Sequence, residues 1–171
     1  MLLTGLLPDI TSDPAIETAI DSVEAGRSGT IVAPVGIRPP LLAAVASRAA
    51  TPLVVLTATG RDAESLTNAL ASWIPGVAML PAWETLPHER LSPQVDTMAR
   101  RIAVLRRLVH PIKGDDSAGP MSVLVVPIRA FLQPIISGLA DLEPVRVRTG
   151  DILDLTETTN RLAELGYERV D

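Results

Sequence analysis

The sequence contains no cysteine, which excludes disulfides, thiolate metal sites and cysteine nucleophiles. It has few aromatic side chains: Phe131, Tyr167, Trp73 and Trp83. A stacking platform for single-stranded nucleic acid needs several rings along one groove, and four scattered rings do not supply it. The N-terminal MLLTGLLPDITSD has no basic residue ahead of its apolar run, and the run is too short for a signal peptide or a membrane span. These features lead to the expectation of a cytoplasmic chain without a membrane partner. Net positive charge is also lacking: the formal charge is −5, so the chain as a whole does not attract nucleic acid. What it does have is 171 residues, 47% of them hydrophobic, enough for one domain with its own core and a piece of a second.

Apolar periodicity lays out the elements. Asp13-Pro14 reads as an N-cap with proline at the first helical position, followed by Ile16, Ala19, Ile20 and Val23 and a stop at Gly26. Thr30–Ala33 reads as a short strand, with a helix marked by Leu41, Leu42, Val45 and Ala46 after it. Pro52–Thr57 reads as a second strand, then Ala63, Leu66, Leu70 and Trp73 as a helix, then Val77–Leu80 as a third strand. After a proline-rich stretch from Pro81 to Pro93 comes a helix with Val95, Met98, Ala99, Ile102 and Leu105 on one stripe. Pro111–Pro120 is expected to be a mobile loop, Ser122–Val126 a fourth strand, and Ile128–Leu139 a helix broken near Pro134. This βαβ rhythm predicts an α/β fold with a doubly wound, mostly parallel sheet.

The character changes near Glu143. Val145–Arg148 alternates as a half-exposed strand does, and Asp154 and Glu157 can cap a helix with Leu155, Leu162 and Leu165 on its inner side. Residues 1–147 are therefore expected to form one domain, and residues 148–171 the opening of a second, α+β element whose remainder lies beyond Asp171.

The stretch TIVAPVGIRPPLLAAV, Thr30 to Val45, has the outline of a nucleotide-binding junction: strand, tight turn, helix. A phosphate loop works through consecutive backbone N–H groups, a lysine and a hydroxyl. Here Gly36 is the turn's single glycine, Arg38-Pro39-Pro40 stands where lysine and hydroxyl belong, and proline has no N–H to donate. The turn is expected to bind no nucleotide. The other glycine cluster, Gly26 to Thr30, precedes a strand and reads as a plain turn.

Other chemistry is thin. His88 and His110 lie outside any metal-ligand spacing, and no G-x-S-x-G elbow is present. Asp115-Asp116 reads as a solvated turn, so no metal site is expected. An enzyme reading would rest on His88 and Glu89 near an arginine. A nucleic-acid reading would rest on Arg100 and Arg107, which project opposite Ile102, with Arg101 and Arg106 flanking them. Asp96 can pair with Arg100 four residues later, and basic residues near a helix C-terminus suit its dipole without any ligand. Trp83 must be buried, or else docked as an anchor for another domain.

The segment LPAWETLPHERLSP (80–93), followed by QVDTMARRI, resembles the N-terminal region of the bacterial transcription-repair coupling factors. PLVVLTATG (52–60) is similar to the second strand and turn of that region, and RLAELGYERVD (161–171) to the opening of its next domain. The region is in turn similar to the first domain of the excision-repair protein UvrB, whose phosphate loop is intact. Against that loop, Pro39 falls at the lysine and Pro40 at the hydroxyl. UvrB's tyrosine-bearing DNA-gripping hairpin has no counterpart beyond Trp83. The resemblance implies a non-catalytic scaffold for recruiting UvrA and for interdomain regulation in transcription-coupled nucleotide excision repair. It implies a UvrA surface mainly beyond residue 171. ATP, magnesium, RNA polymerase and DNA would engage only other parts of the longer protein. Trp83, Arg100, Arg107, Arg161, Tyr167 and Arg169 are the residues expected to meet a partner or a neighbouring domain.

Overall fold

The computed structural model describes residues 2–84, 94–115, 117–145, 147 and 149–164. In chain order the helices and strands are α1 (Leu7–Thr11), α2 (Pro14–Glu24), α3 (Arg38–Arg48), β1 (Leu53–Thr57), α4 (Gly60–Leu70), β2 (Val77–Met79), α5 (Val95–Val109), β3 (Val123–Pro127), α6 (Ile128–Phe131) and α7 (Leu155–Glu164). Among the described residues the strands form one three-stranded parallel sheet in the order β1-β3-β2, with Val55 and Met79 both in register with Val125.

The chain crosses from β1 to β2 through α4 on one face, then returns to the middle through α5 on the other. Two crossovers in opposite directions along a sheet, each of the favoured hand, place their helices on opposite faces. The alternation of strand side chains matches this arrangement. Val123 and Val125 point to α3 and α4, where Ala43, Ala46, Ala63 and Leu70 complete one core. Leu124 and Val126 point to α5, where Val104 and Leu105 complete the other with Ala78 and Leu80. All five residues of β3 are buried, as the central strand of a two-faced sheet requires. Each fully buried Leu70, Val123 or Val125 contributes about 1.5–3 kcal/mol by leaving water.

Local signals explain most boundaries. The Asp13 carboxylate accepts from the Ala15 and Ile16 amides at 2.9 and 3.3 Å, and Pro14 occupies the first helical position, so α2 starts where the sequence places it. Thr59 caps α4: its hydroxyl accepts from the Asp62 amide at 3.1 Å and donates to the Asp62 carboxylate at 2.8 Å. Gly76 sets the approach of β2, since its carbonyl accepts from the Ser122 amide at 2.8 Å while its own φ is +75°.

Several expectations are corrected. Thr30–Ala33 forms no strand. Val32 is 95% exposed, and Pro34 follows immediately without an N–H for a ladder. Both edges of β3 are already paired, so among the described residues only the outer edges of β1 and β2 remained, and no burial draws the segment to either. The helix marked by Leu41, Leu42, Val45 and Ala46 does form, as α3, and it begins at Arg38 with Pro39 and Pro40 in its first turn, where they cost no hydrogen bond. Only Ile128–Phe131 of the next expected helix forms as α6, and Leu139–Asp141 is a separate 3-10 turn. Val145 and Val147 lie in no strand. The tract after α5, expected to be a loop, carries local bonds among its described residues: Ile112 donates to the Ala118 carbonyl at 2.8 Å, and Asp115 accepts from the Ser117 and Ala118 amides at 2.8 Å. The short helix α1 carries no periodic signal in the sequence, yet Leu7 is buried in the first core.

Candidate functional site

The turn before α3 is a 3-10 helix, Val35–Ile37. Two of its donors are spent locally: Ile37 donates to the Pro34 carbonyl at 3.1 Å and Arg38 to that of Val35. Pro39 and Pro40 have no N–H, and Gly36 is not in the left-handed region that phosphate-cradling turns use. The amides of Ile37 and Arg38 are thus unavailable to a phosphate, and the two prolines offer none. Beside it, at the carboxyl end of β1, an open groove of about 550 Å³ lies between α3 and α4. Ligands of open α/β sheets bind at this end. The lining is mostly aliphatic (Ile31, Val35, Leu41, Leu42 and Leu66), with Arg38 and Asp62 also on its wall.

The other concentration of polar chemistry is on α5, and its phase differs from expectation. Thr97, Arg101, Val104 and Leu105 face inward, whereas Val95 is 71% exposed. Arg101 was expected to flank a solvent face and is instead completely buried. Its guanidinium carbon lies 4.5 Å from the centroid of the Trp83 ring, and Nη1 donates to the Pro81 carbonyl at 2.6 Å. Its Nε is buried without a hydrogen-bond partner. Burial lowers the pKa of this arginine. A cation over an indole face, held by a carbonyl, is a substitute for the counter-ion it lacks.

Trp83 is thereby half-buried, in keeping with a satellite core. Gln133 fixes its backbone from the other side: its carbonyl oxygen accepts from the Trp83 amide at 2.8 Å and its amide nitrogen donates to the Trp83 carbonyl at 3.3 Å. Thr97 donates to the Glu84 carboxylate, and Arg129 to the Glu84 carbonyl at 3.2 Å. Residues from α5, α6 and the following turn thus converge on Pro81–Glu84. The sequence does not disclose this cluster. Trp83 and Gln133 are 50 residues apart, and a periodicity scan scores Arg101 and Thr97 as outward.

The Thr97 hydroxyl, first, and the Glu84 backbone amide hold the Glu84 carboxyl below its ordinary value of 4.5. Its folded-state pKa lies under the unfolded one, so the stabilisation is present above pH 4.5 and is lost as the pH falls through and below that value. Replacing Glu84 with Gln is therefore expected to flatten the acid limb of a stability-against-pH curve, between about pH 5 and pH 3. Urea midpoints across that window measure it, and parallel curves for the two proteins would contradict it.

The other arginines of α5 are engaged. Arg100 pairs with Asp96 at 2.9 Å, the expected i,i+4 bridge, exposed on both sides. Arg107, expected to project into solvent, is instead half-buried: Nε donates to the Gly119 carbonyl at 2.7 Å, and Nη2 lies 3.5 Å from that of Pro120. A backbone carbonyl left by the turn after α5 draws it in. Arg161 lies exposed near the end of α7, whose first turn is capped by Asp154 accepting from the Glu157 amide at 2.9 Å. Leu155, expected on the inner side of that helix, is 82% exposed. His88, Glu89, Tyr167 and Arg169 lie outside the described residues, so the enzyme reading built on His88 and Glu89 has no described geometry. Among the described residues no three acidic or imidazole groups gather as a metal set. No helix there is long and apolar enough to cross a membrane.

No family model matches the chain. Among proteins of known name, it is similar to the transcription-repair-coupling factors of Mycobacterium bovis and Mycobacterium tuberculosis. Each is 46% identical over 174 aligned residues, which take in 99% of this chain and 14% of the relative. The transcription-repair-coupling factor of Escherichia coli is 26% identical over 133 residues, 77% of the chain and 11% of the relative. The resemblance carried by Leu80–Pro93 and its flanking stretches is thus borne out along essentially the whole chain, which is similar to the transcription-repair-coupling factors and spans about 14% of the length of the mycobacterial ones.

Proposed function

We propose that this chain is the opening scaffold module of a transcription-repair coupling factor, without catalytic activity of its own. It helps to present, and in the resting protein to shield, a surface for UvrA in nucleotide excision repair. Residues 1–147 form the UvrB-like platform, and residues 148–171 lead into the element that carries the main UvrA contacts. ATP and magnesium act in other parts of the longer protein, which also meet RNA polymerase and DNA. One observation carries the reading: the turn that leads into α3 lacks most of what a phosphate loop needs, with Ile37 and Arg38 bonded to the turn and Pro39 and Pro40 unable to donate. The long matched relatives supply the context in which such a platform has a use.

Capture of UvrA by this chain and by a longer version extended through the next domain tests the proposal. The longer version is expected to retain UvrA and this chain to retain it weakly; capture by neither sinks the assignment. Separately, a calorimetric titration with ATP and magnesium is expected to give no binding heat. Saturable binding in the micromolar range would overturn the loss of nucleotide chemistry.

A further inference from the structure

The segment Leu139–Glu143 lies across α5, yet its attachment is unusual. Its backbone bonds are local: Leu139 donates to the Ile136 carbonyl at 3.3 Å and Asp141 to that of Gly138 at 3.0 Å. Among the described residues, no backbone hydrogen bond ties it to the sheet or to α5. Side chains of two residues near the end of α5 hold it instead. Arg106 Nη1 donates to the Leu142 carbonyl at 3.1 Å and reaches that of Asp141 at 3.5 Å, while Nη2 meets the Glu143 carboxylate at 3.7 Å. His110 Nε2 lies 2.7 Å from the Asp141 carboxylate. Leu139 and Ala140 add partial packing against the α5 core.

We propose that Leu139–Glu143 is a releasable strap. Arg106 and His110 hold it shut on α5, and its opening frees the start of the segment that leads to α7. Three features favour two discrete states over a permanent seam. Both acidic partners are largely exposed, with Asp141 at 65% and Glu143 at 69%, so the Glu143 ion pair with Arg106 and the Asp141 contact with His110 are weak individually and compete with water. Arg106 Nε is buried without a partner in the shut state, a deficit that opening to water relieves. Gly138, at φ +81°, begins the strap in a conformation that other residues resist, so a pivot is already in place. The strap joins the sheet domain to residues 148–171, so its state sets how rigidly the following helix is carried. The inference concerns this fold alone and stands or falls independently of UvrA binding.

Hydrogen exchange on the 171-residue chain tests it, comparing the starting protein with Arg106→Ala, Arg106→Lys and Asp141→Asn. Amides of residues 139–145 are expected to exchange about tenfold faster in Arg106→Ala, while β1 and β3 keep their protection, as a local opening requires. Arg106→Lys keeps the charge without the fork and is expected to fall between. Unchanged protection of the strap in Arg106→Ala would overturn the proposal, as would its loss together with β3. The absence of native cysteine allows a second readout, with spin labels at Glu64→Cys and Thr156→Cys. The interlabel distances are expected to broaden when Arg106→Ala is added. A distribution equally broad without that substitution would overturn the role given to the strap.

Discussion

Replacing Arg101 with alanine is expected to destabilise the chain by about 3 kcal/mol. The sum comprises a lost charge-assisted bond to the Pro81 carbonyl, a lost cation–π contact with Trp83 and the void left by a fully buried long side chain. Methionine at the same position is expected to cost within about 1 kcal/mol, because it refills the space and removes a buried charge that has no carboxylate partner among the described residues. The contrast separates two accounts of the site. If the charge itself is essential, both variants fall together; if shape dominates, methionine rescues. Urea denaturation gives the magnitudes. Trp83 emission in a Trp73→Phe background reports whether the ring leaves its place, and alanine is expected to shift it to the red. A loss below about 1 kcal/mol for alanine would show that Pro81–Glu84 is held by Gln133 and Arg129 without the arginine.

Gly76→Val is expected to cost about 3–5 kcal/mol, more than Gly76→Ala at about 2–3 kcal/mol. Two penalties coincide there. The φ of +75° is hostile to any side chain and worst for a β-branched one. A Cβ would also stand 3.0 Å from the Pro120 carbonyl and the Ser122 amide, both backbone atoms on the approach to β3. Because the Gly76 carbonyl receives the Ser122 amide, relief of the clash would displace the register of β2 against β3. Loss of stability should therefore come with a lower m-value, as the sheet's edge loosens in the native state. A valine variant as stable as the starting protein would contradict this geometry.

How far the sequence disclosed the fold depended on the kind of signal. Strands β1, β2 and β3 were legible because each is a short apolar run between turn residues, and α2 because Asp13-Pro14 is an unambiguous start. Thr30–Ala33 has the same apolar look but found no neighbour, and strand formation depends on a free edge as much as on composition. The face of α5 was misread because periodicity treats arginine as outward. What turns Arg101 inward is an indole and a carbonyl 18 and 20 positions earlier, a relation no local window contains. The missing donors around Gly36 were visible directly, since proline's chemistry does not depend on the fold. Gln133 and Arg106 were invisible as partners, because each acts across a long separation on backbone atoms, and backbone atoms carry no sequence signature.

The strand order has a bearing on how the chain is made. Among the described residues β1 and β2 are not neighbours; each hydrogen-bonds to β3, which is synthesised after both. While a ribosome is still upstream of Val123, the two earlier strands have no ladder partner and are kept together only through α4. The sheet then assembles in a single late step, when the final strand slides between them. Parallel pairings of this non-local kind form slowly, so through that interval the helices already made have no completed sheet to pack against.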